Sequence, residues 1–347
     1  MAGTPGSVAD VLTTLLQGND LSPQAATWMM DLILSGNATS AQIAGFAVAL
    51  RSKGETVEEI SGLAAAMLQH ATPIEVPGRT VDIVGSGGDR ARTVNVSTMA
   101  GLVAASAGAR VVKHGNRAAS SACGAADVVE ALGVNLDVDP ADQAAVVEAC
   151  GICFLFAAKY HPSLRHAGGP RRELGVPTTF NFLGPLTNPA RPAGQAIGVA
   201  DERMAGLMAG VLAGRGADGL VFHGGDGLDE LTTTTSSRVW LIADGQVSET
   251  TLDPLELGLA RATPDDLVGG DPDHNAQVVR DLVAGRTGPV RDIVVLNAAA
   301  ALLAHRGLDR EAELVPQLAE QVAIAQRAID DGSTAQTLDR WVVASNN

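Results

Sequence analysis

Apolar residues over the first 72 positions recur at helical spacing, in four runs broken by short polar stretches. "SVADVLTTLLQG" predicts a helix ending at Gly18. "SPQAATWMMDLILSG" predicts a second, capped by Ser22, opened by Pro23 at the first helical position and stopped at Gly36. "TSAQIAGFAVALRSKG" stops at Gly54. "TVEEISGLAAAMLQHA" starts with Thr56 as cap and Glu59 three residues later, the spacing of a capping box. Four amphipathic helices on short loops make a helical subdomain, and Pro73 and Pro77 mark its exit.

The period then changes. "TVDIVG", "ARVVKHG", "ICFLFA", "QAIGVA" and "DGLVFHG" are short apolar runs. They alternate with helical stretches such as "STMAGLVAASAG", "SSACGAADVVEALG" and "ERMAGLMAGVLAGRG". Strand, loop, helix, strand is a βαβ unit and implies a mainly parallel sheet. "SRVWLIADGQVSE" predicts a hairpin turning at Asp244-Gly245, and the chain reads as helical again from Asn275. The proline-rich segment from Tyr160 to Pro189 interrupts the alternation. These patterns predict an α/β fold: a small helical domain over 1–75, joined by a segment returning near 165–187, and a large α/β domain over 76–347.

The 347 residues are rich in Ala, Gly, Val and Leu and poor in aromatics, which favours helices packed on a buried sheet. No apolar run reaches the roughly 18 residues that suggest a membrane span. The start, "MAGTPGSVADVL", lacks a basic region ahead of a continuous apolar stretch, so the chain reads as cytoplasmic. A formal net charge of −15 without a long Lys/Arg run argues against nucleic acid as a partner. Three cysteines make no disulfide framework. "CGIC" has redox or metal spacing, but Gly151 reads as a helix end and "ICFLF" as a buried strand, so Cys150 and Cys153 are assigned to the core.

Four motifs carry chemistry. "DIVGSGGDRARTVNVST" follows a strand and opens a helix. Gly85, Gly87 and Gly88 allow close approach of an anion, and Asn95, Ser97 and Thr98 sit at a helix N-terminus that favours phosphate. The other reading is a tight turn with an N-cap. "KHGNR" ends the next strand, where ligands of open α/β sheets bind. There Lys113 offers a point charge for phosphate, His114 an orienting ring, and Asn116 both a donor and an acceptor. The other reading is a surface loop with Ser120 or Ser121 capping a helix. "HGGDGLDELTTTT" gathers Asp226, Asp229 and Glu230, hard oxygen donors that suit Mg²⁺, or else a solvated acidic turn. "RHAGGPRRELGVPTTFNFLGPLTNP" holds Arg165, His166, Arg171 and Arg172, a match for a carboxylate or else a surface helix. No Ser-His-Asp order, zinc ligand set or nucleophile elbow is present, so positioning and leaving-group stabilisation are the expected catalytic means.

The glycine loop, "VKHGNRAASS", "ADVVEALG", "FNFLGPLTNPARP" and "DGLDELTTT", in this order, resemble the anthranilate phosphoribosyltransferases of tryptophan biosynthesis over nearly the whole chain. The resemblance implies a nucleoside phosphorylase/phosphoribosyltransferase-like fold and homodimers formed through the helical domain. It implies Mg²⁺-dependent transfer of the phosphoribosyl group from 5-phosphoribosyl 1-diphosphate to anthranilate. Carried over by position, Gly85, Gly87, Gly88 and Asp89 hold the diphosphate and ribose region, with Thr93 and Ala125 also lining the donor site. Asn95, Ser97 and Thr98 bind phosphates, Lys113 pairs with phosphate, and His114, Asn116 and Arg171 line the anthranilate path. Ser97, Asp229 and Glu230 hold Mg²⁺, and Lys113, Asn116 and Arg171 carry the catalysis. Three positions depart from the usual pattern: Ser86 replaces a threonine, Ala125 replaces a serine, and Pro170 precedes Arg171. A pyrimidine nucleoside phosphorylase and a non-catalytic nucleic-acid-binding relative are the alternatives, and the acidic pair of "DGLDE" argues against both.

Overall fold

The structure, a computed structural model, describes residues 6–118 and 122–347. In chain order the helices α1 (Val8–Leu16), α2 (Pro23–Leu34), α3 (Ser40–Lys53) and α4 (Val57–Gln69) precede β1 (Val81–Gly85), α5 (Val96–Ser106) and β2 (Val111–Gly115). Then come α6 (Ala125–Ala131), α7 (Gln143–Cys150), β3 (Ile152–Phe156), α8 (Ala157–Tyr160), α9 (Arg165–Leu174) and α10 (Phe180–Leu183). They are followed by β4 (Gly194–Gly198), α11 (Glu202–Gly214), β5 (Asp218–Gly224), β6 (Ser237–Ala243) and β7 (Gln246–Leu252). Four helices close the chain: α12 (Pro272–Val283), α13 (Pro289–Arg306), α14 (Leu314–Asp330) and α15 (Ser333–Ser345). Two compact units result: Met1–Pro73 with Ala157–Pro189, and Ile74–Phe156 with Ala190–Asn347.

The first unit is helical. Ser22, Thr39 and Thr56 cap α2, α3 and α4, and the capping box of Thr56 and Glu59 forms. Glu59 is fully buried and reaches further. Its carboxylate also accepts the Leu21 N–H at 2.8 Å and pairs with Lys53 at 2.9 Å. α2 and α4 approach closely because Gly62 has no side chain to strike the Pro23 carbonyl. Among the contacts that tie the segment 157–189 to residues 6–73 are two hydrogen bonds and a ring contact. The Thr72 N–H donates to the Tyr160 carbonyl (2.8 Å), Thr179 Oγ1 donates to buried Glu55 (2.6 Å), and Arg51 lies over the Phe182 ring. α9 runs through Pro170, whose ring removes one backbone donor inside the helix.

The second unit is built on a seven-stranded sheet of order β3-β2-β1-β4-β5-β6-β7. The β3-β2-β1-β4-β5 portion is parallel, and the β6–β7 hairpin adds antiparallel strands at one edge. Asp244 and Gly245 both take positive φ at the hairpin turn, as a two-residue loop of this twist requires. Right-handed crossovers place α5 and α11 on opposite faces, because β1-to-β2 and β4-to-β5 step in opposite directions. The order thus reverses between β1 and β4. In α13, which packs on α5, every residue from Ile293 to Ala304 is buried. Cys150 and Cys153 are buried free thiols, with Gly151 in the left-handed region between them. α6 opens at Gly124, whose N–H donates to Asp127 (2.8 Å), later than the serine cap considered from sequence. Ser120 and Ser121 lie outside the described residues. Among the described residues no helix is long and apolar enough to cross a membrane.

Candidate functional site

The carboxyl ends of β1 and β4 meet at the point of reversal, where open α/β sheets bind ligands. Both strands end in glycine, and the loop after β5 fills the space. A Cβ on Gly85 would collide with the Asp229 carboxylate, and one on Gly198 would collide with the Asp229 carbonyl. The bare strand ends therefore admit Asp229 between them. Its Oδ2 then accepts the Gly87 N–H at 2.6 Å. Gly87 and Gly88 both adopt positive φ, and so do Arg90 and Arg92 further along the loop. Since the Gly87 amide is occupied by Asp229, the donors left for an anion in this loop are fewer than consecutive glycines suggest. Ser86 keeps the hydroxyl function of its position: its Oγ accepts the Ala200 N–H at 3.1 Å and so ties the loop to the end of β4.

β2 supplies the cation. Lys113 is 1% exposed, and its Nζ donates to the Ile83 carbonyl (2.6 Å) and to Ser97 Oγ (3.2 Å). Ser97 lies in the first turn of α5. Asp82, Asp229 and Glu230 act on this ammonium, and Asp89 acts on Asp229 and Glu230. Burial, then the neighbouring charge of Asp89, pushes the Asp229 carboxyl up to about 7. Burial, then Asp229, raises Glu230 well above the usual carboxylate range. Burial lowers the Lys113 ammonium, against the pull of Asp82, Glu230 and Asp229. The group carries more carboxylate than one lysine neutralises, so it suits a further cation. Among the described residues no three His, Cys, Asp or Glu side chains stand as a complete metal cage. Mg²⁺ needs none, since it takes one or two carboxylates and completes its shell with water and phosphate.

The remaining predicted residues are distributed as follows. Thr93 forms a bridge with Val268. Asn95 precedes α5, with its side chain turned to the Cys123 carbonyl (3.3 Å) and to Asn275 (2.8 Å). Thr98 is 2% exposed, and its hydroxyl has no hydrogen-bond partner among the described residues. His114 is buried at the end of β2, and its N–H donates to Asp82 Oδ1 at 3.2 Å. Asn116 is exposed, with its Oδ1 accepting the Arg117 N–H. Ala125 opens α6 against Gly115. Arg171 belongs to the first unit, where its guanidinium lies 5.6 Å from the centre of the Phe180 ring. Asp226 does not join its acidic neighbours. It accepts from Thr232 (2.7 Å), Thr234 and the Leu228 N–H (3.2 Å), and so braces the turn.

Two supporting residues were missed from sequence. Asp82, fully buried within β1, bridges to β2, and Asn275 holds Asn95 from α12. An acidic residue inside an otherwise apolar strand was the available hint for Asp82.

A glycosyl transferase family model for the helical bundle domain matches residues 9–71, and one for the a/b domain matches residues 77–335. Anthranilate phosphoribosyltransferase from Thermobifida fusca (strain YX) is 60% identical over 335 residues, 96% of each chain. The enzyme of that name from Nocardioides sp. is 59% identical over 97% of this chain and 98% of its own. Among solved structures, anthranilate phosphoribosyltransferase from Thermus thermophilus superposes with a TM-score of 0.90 at 40% identity, over 97% of this chain and 99% of that one. The Saccharomyces cerevisiae enzyme, solved in complex with PRPP and Mg, gives 0.86 at 25% identity over 98% of both chains. With the glycine loop, the buried lysine and the acidic pair in one α/β unit, and this identity along nearly the full length, the chain belongs to the anthranilate phosphoribosyltransferase family.

Proposed function

We propose that the chain transfers the 5-phosphoribosyl group from 5-phosphoribosyl 1-diphosphate to the amine of anthranilate, giving N-(5-phosphoribosyl)anthranilate and diphosphate, a step of tryptophan biosynthesis in the cytoplasm. The observation that carries this reading is the convergence of buried Lys113, Asp229 and Glu230 beneath the glycine loop. Such a site gathers phosphate-directed charge. Relatives at 54–60% identity bear the name of this activity.

Asp229 and Glu230, with Ser97 beside them, would hold Mg²⁺; the yeast relative was solved in complex with PRPP and Mg. The bound ion supplies charge neutralisation of the departing diphosphate. Lys113 adds a fixed ammonium to the same charge, already oriented by the Ile83 carbonyl. Gly85, Gly87, Gly88, Asp89 and Thr93 with Asn95, Thr98 and Ala125 form the donor site. The Thr98 hydroxyl, without a partner among the described residues, suits a phosphate acceptor. His114 and Asn116 orient the acceptor, and Arg171, held over Phe180, pairs with its carboxylate. An aromatic amine is nucleophilic without deprotonation, so positioning supplies the catalysis, worth about 7–11 kcal/mol in favourable cases. The chain assembles as a homodimer through its helical domain, where Leu16 and Val48 are exposed on α1 and α3.

Anthranilate fluorescence tests the reaction. It falls on adding purified protein, phosphoribosyl diphosphate and Mg²⁺, and the fall stops with chelator. Constant fluorescence with folded protein would overturn the assignment.

A further inference from the structure

We propose that Asn297 is the positioning residue that sets the Asp229–Glu230 pair, its amide gripping the peptide groups of the next residue, Leu231. The proposal rests on the reading of Asp229 and Glu230 as the cation-holding pair. Asn297 is fully buried, and it is the one polar side chain between Ile293 and Ala304 of α13. Its Oδ1 accepts the Leu231 N–H at 3.0 Å, and its Nδ2 donates to the Leu231 carbonyl at 2.9 Å and the Ile293 carbonyl at 2.9 Å. The amide thus pairs with Leu231 as a neighbouring strand would, using both groups of one residue that lies 66 positions away.

The helix has no need of asparagine at that position. Asparagine is a weaker helix former than leucine or alanine, and an amide in an apolar run is costly unless paired. What the amide contributes is the hold on the loop. The rest of that loop is braced by Asp226 against Thr232 and by the Ser237 hydroxyl accepting the Thr232 N–H (3.1 Å). Asn297 is the tie that adjoins Glu230. It acts on backbone atoms, so it fixes the direction in which the chain leaves Glu230 whatever side chain stands at 231. Outer partners that orient cation-holding carboxylates act in this way.

The test is Asn297→Leu, which keeps the size and removes the bonds. Mn²⁺ binding in the presence of phosphoribosyl diphosphate, read by electron paramagnetic resonance, weakens by about 10- to 100-fold. KM for phosphoribosyl diphosphate rises with it, while KM for anthranilate is unchanged. Wild-type Mn²⁺ affinity in a folded Asn297→Leu protein overturns the proposal. So does a fall in kcat and melting temperature with neither KM moved, which is the mark of a merely structural role. Should the variant fail to fold, hydrogen exchange at the Leu231 amide of the wild-type protein decides: protection equal to that of α13 supports the grip, and exchange at loop rates overturns it. The control is the double variant Asp229→Asn/Glu230→Gln. Unchanged Mn²⁺ binding there refutes the underlying reading, whereas loss there with none in Asn297→Leu refutes the grip alone.

Discussion

At the scale of single residues, the site depends as much on missing atoms as on reactive ones. Gly85→Ala puts a methyl group where the Asp229 carboxylate lies and breaks its bond to Gly87. A displacement of this kind near the reacting groups costs about 10²-fold in kcat/KM for the phosphoribosyl donor. Steady-state kinetics with donor varied checks this, and near-wild-type values would show that the loop yields freely. Protonation gives a second handle. In the fold Asp229 keeps its proton up to about 7, against 3.8 for an ordinary aspartate. Between those values the folded state binds more protons than the unfolded one, so this group makes stability fall as pH rises through the window. Glu230 acts in the same direction. Thermal melts in chelator therefore show Asp229→Asn gaining on wild type from about pH 4 to about pH 7. A constant difference across that range would contradict the burial-driven shift.

At the scale of elements, the local chemistry of helix ends was legible in the sequence. Ser22-Pro23, the Thr56–Glu59 box and the Asp244-Gly245 turn all form as their residue types dictate, because cap and turn partners lie within a few positions. Partners from distant segments were not legible. The tie of Glu59 to Leu21 and the grip of Asn297 depend on which segments the fold brings together, and the turning of Asp226 toward Thr232, six positions on, depends on how its loop folds. The glycine loop and the acidic turn could be picked out from motif order, but the use of the Gly87 amide by Asp229 could not, since it joins positions 142 apart. The double duty of Glu59 makes its loss expensive. Glu59→Ala removes the acceptor of two N–H donors and leaves Lys53 with Asp20 as its remaining carboxylate, and costs about 2–3 kcal/mol. Thr56→Ala, which removes the cap alone, costs about 1 kcal/mol. Urea denaturation of the two variants separates these values, and equal losses would mean that Glu59 acts only as a cap.

At the scale of the whole molecule, the chain writes its first unit in two instalments. Residues 1–73 hold most of the helices, yet Glu55, Arg51 and Thr72 also bond to or stack on residues of 157–189. A fragment of residues 1–73 alone is therefore less helical and melts lower than one in which 157–189 is joined to it by a flexible linker. Circular dichroism of the two fragments tests this, and identical melts would show that the second instalment adds nothing. The same division has a consequence in time. At roughly 5–20 residues per second of synthesis, the helices of the first instalment wait about 6–23 s before residue 189 is made. During that interval Glu55 has no Thr179 to bond, and the apolar faces meant for the later segment stand open. What is written first is finished late, so the newborn chain is most exposed to chaperones, proteases and its own neighbours at its oldest end.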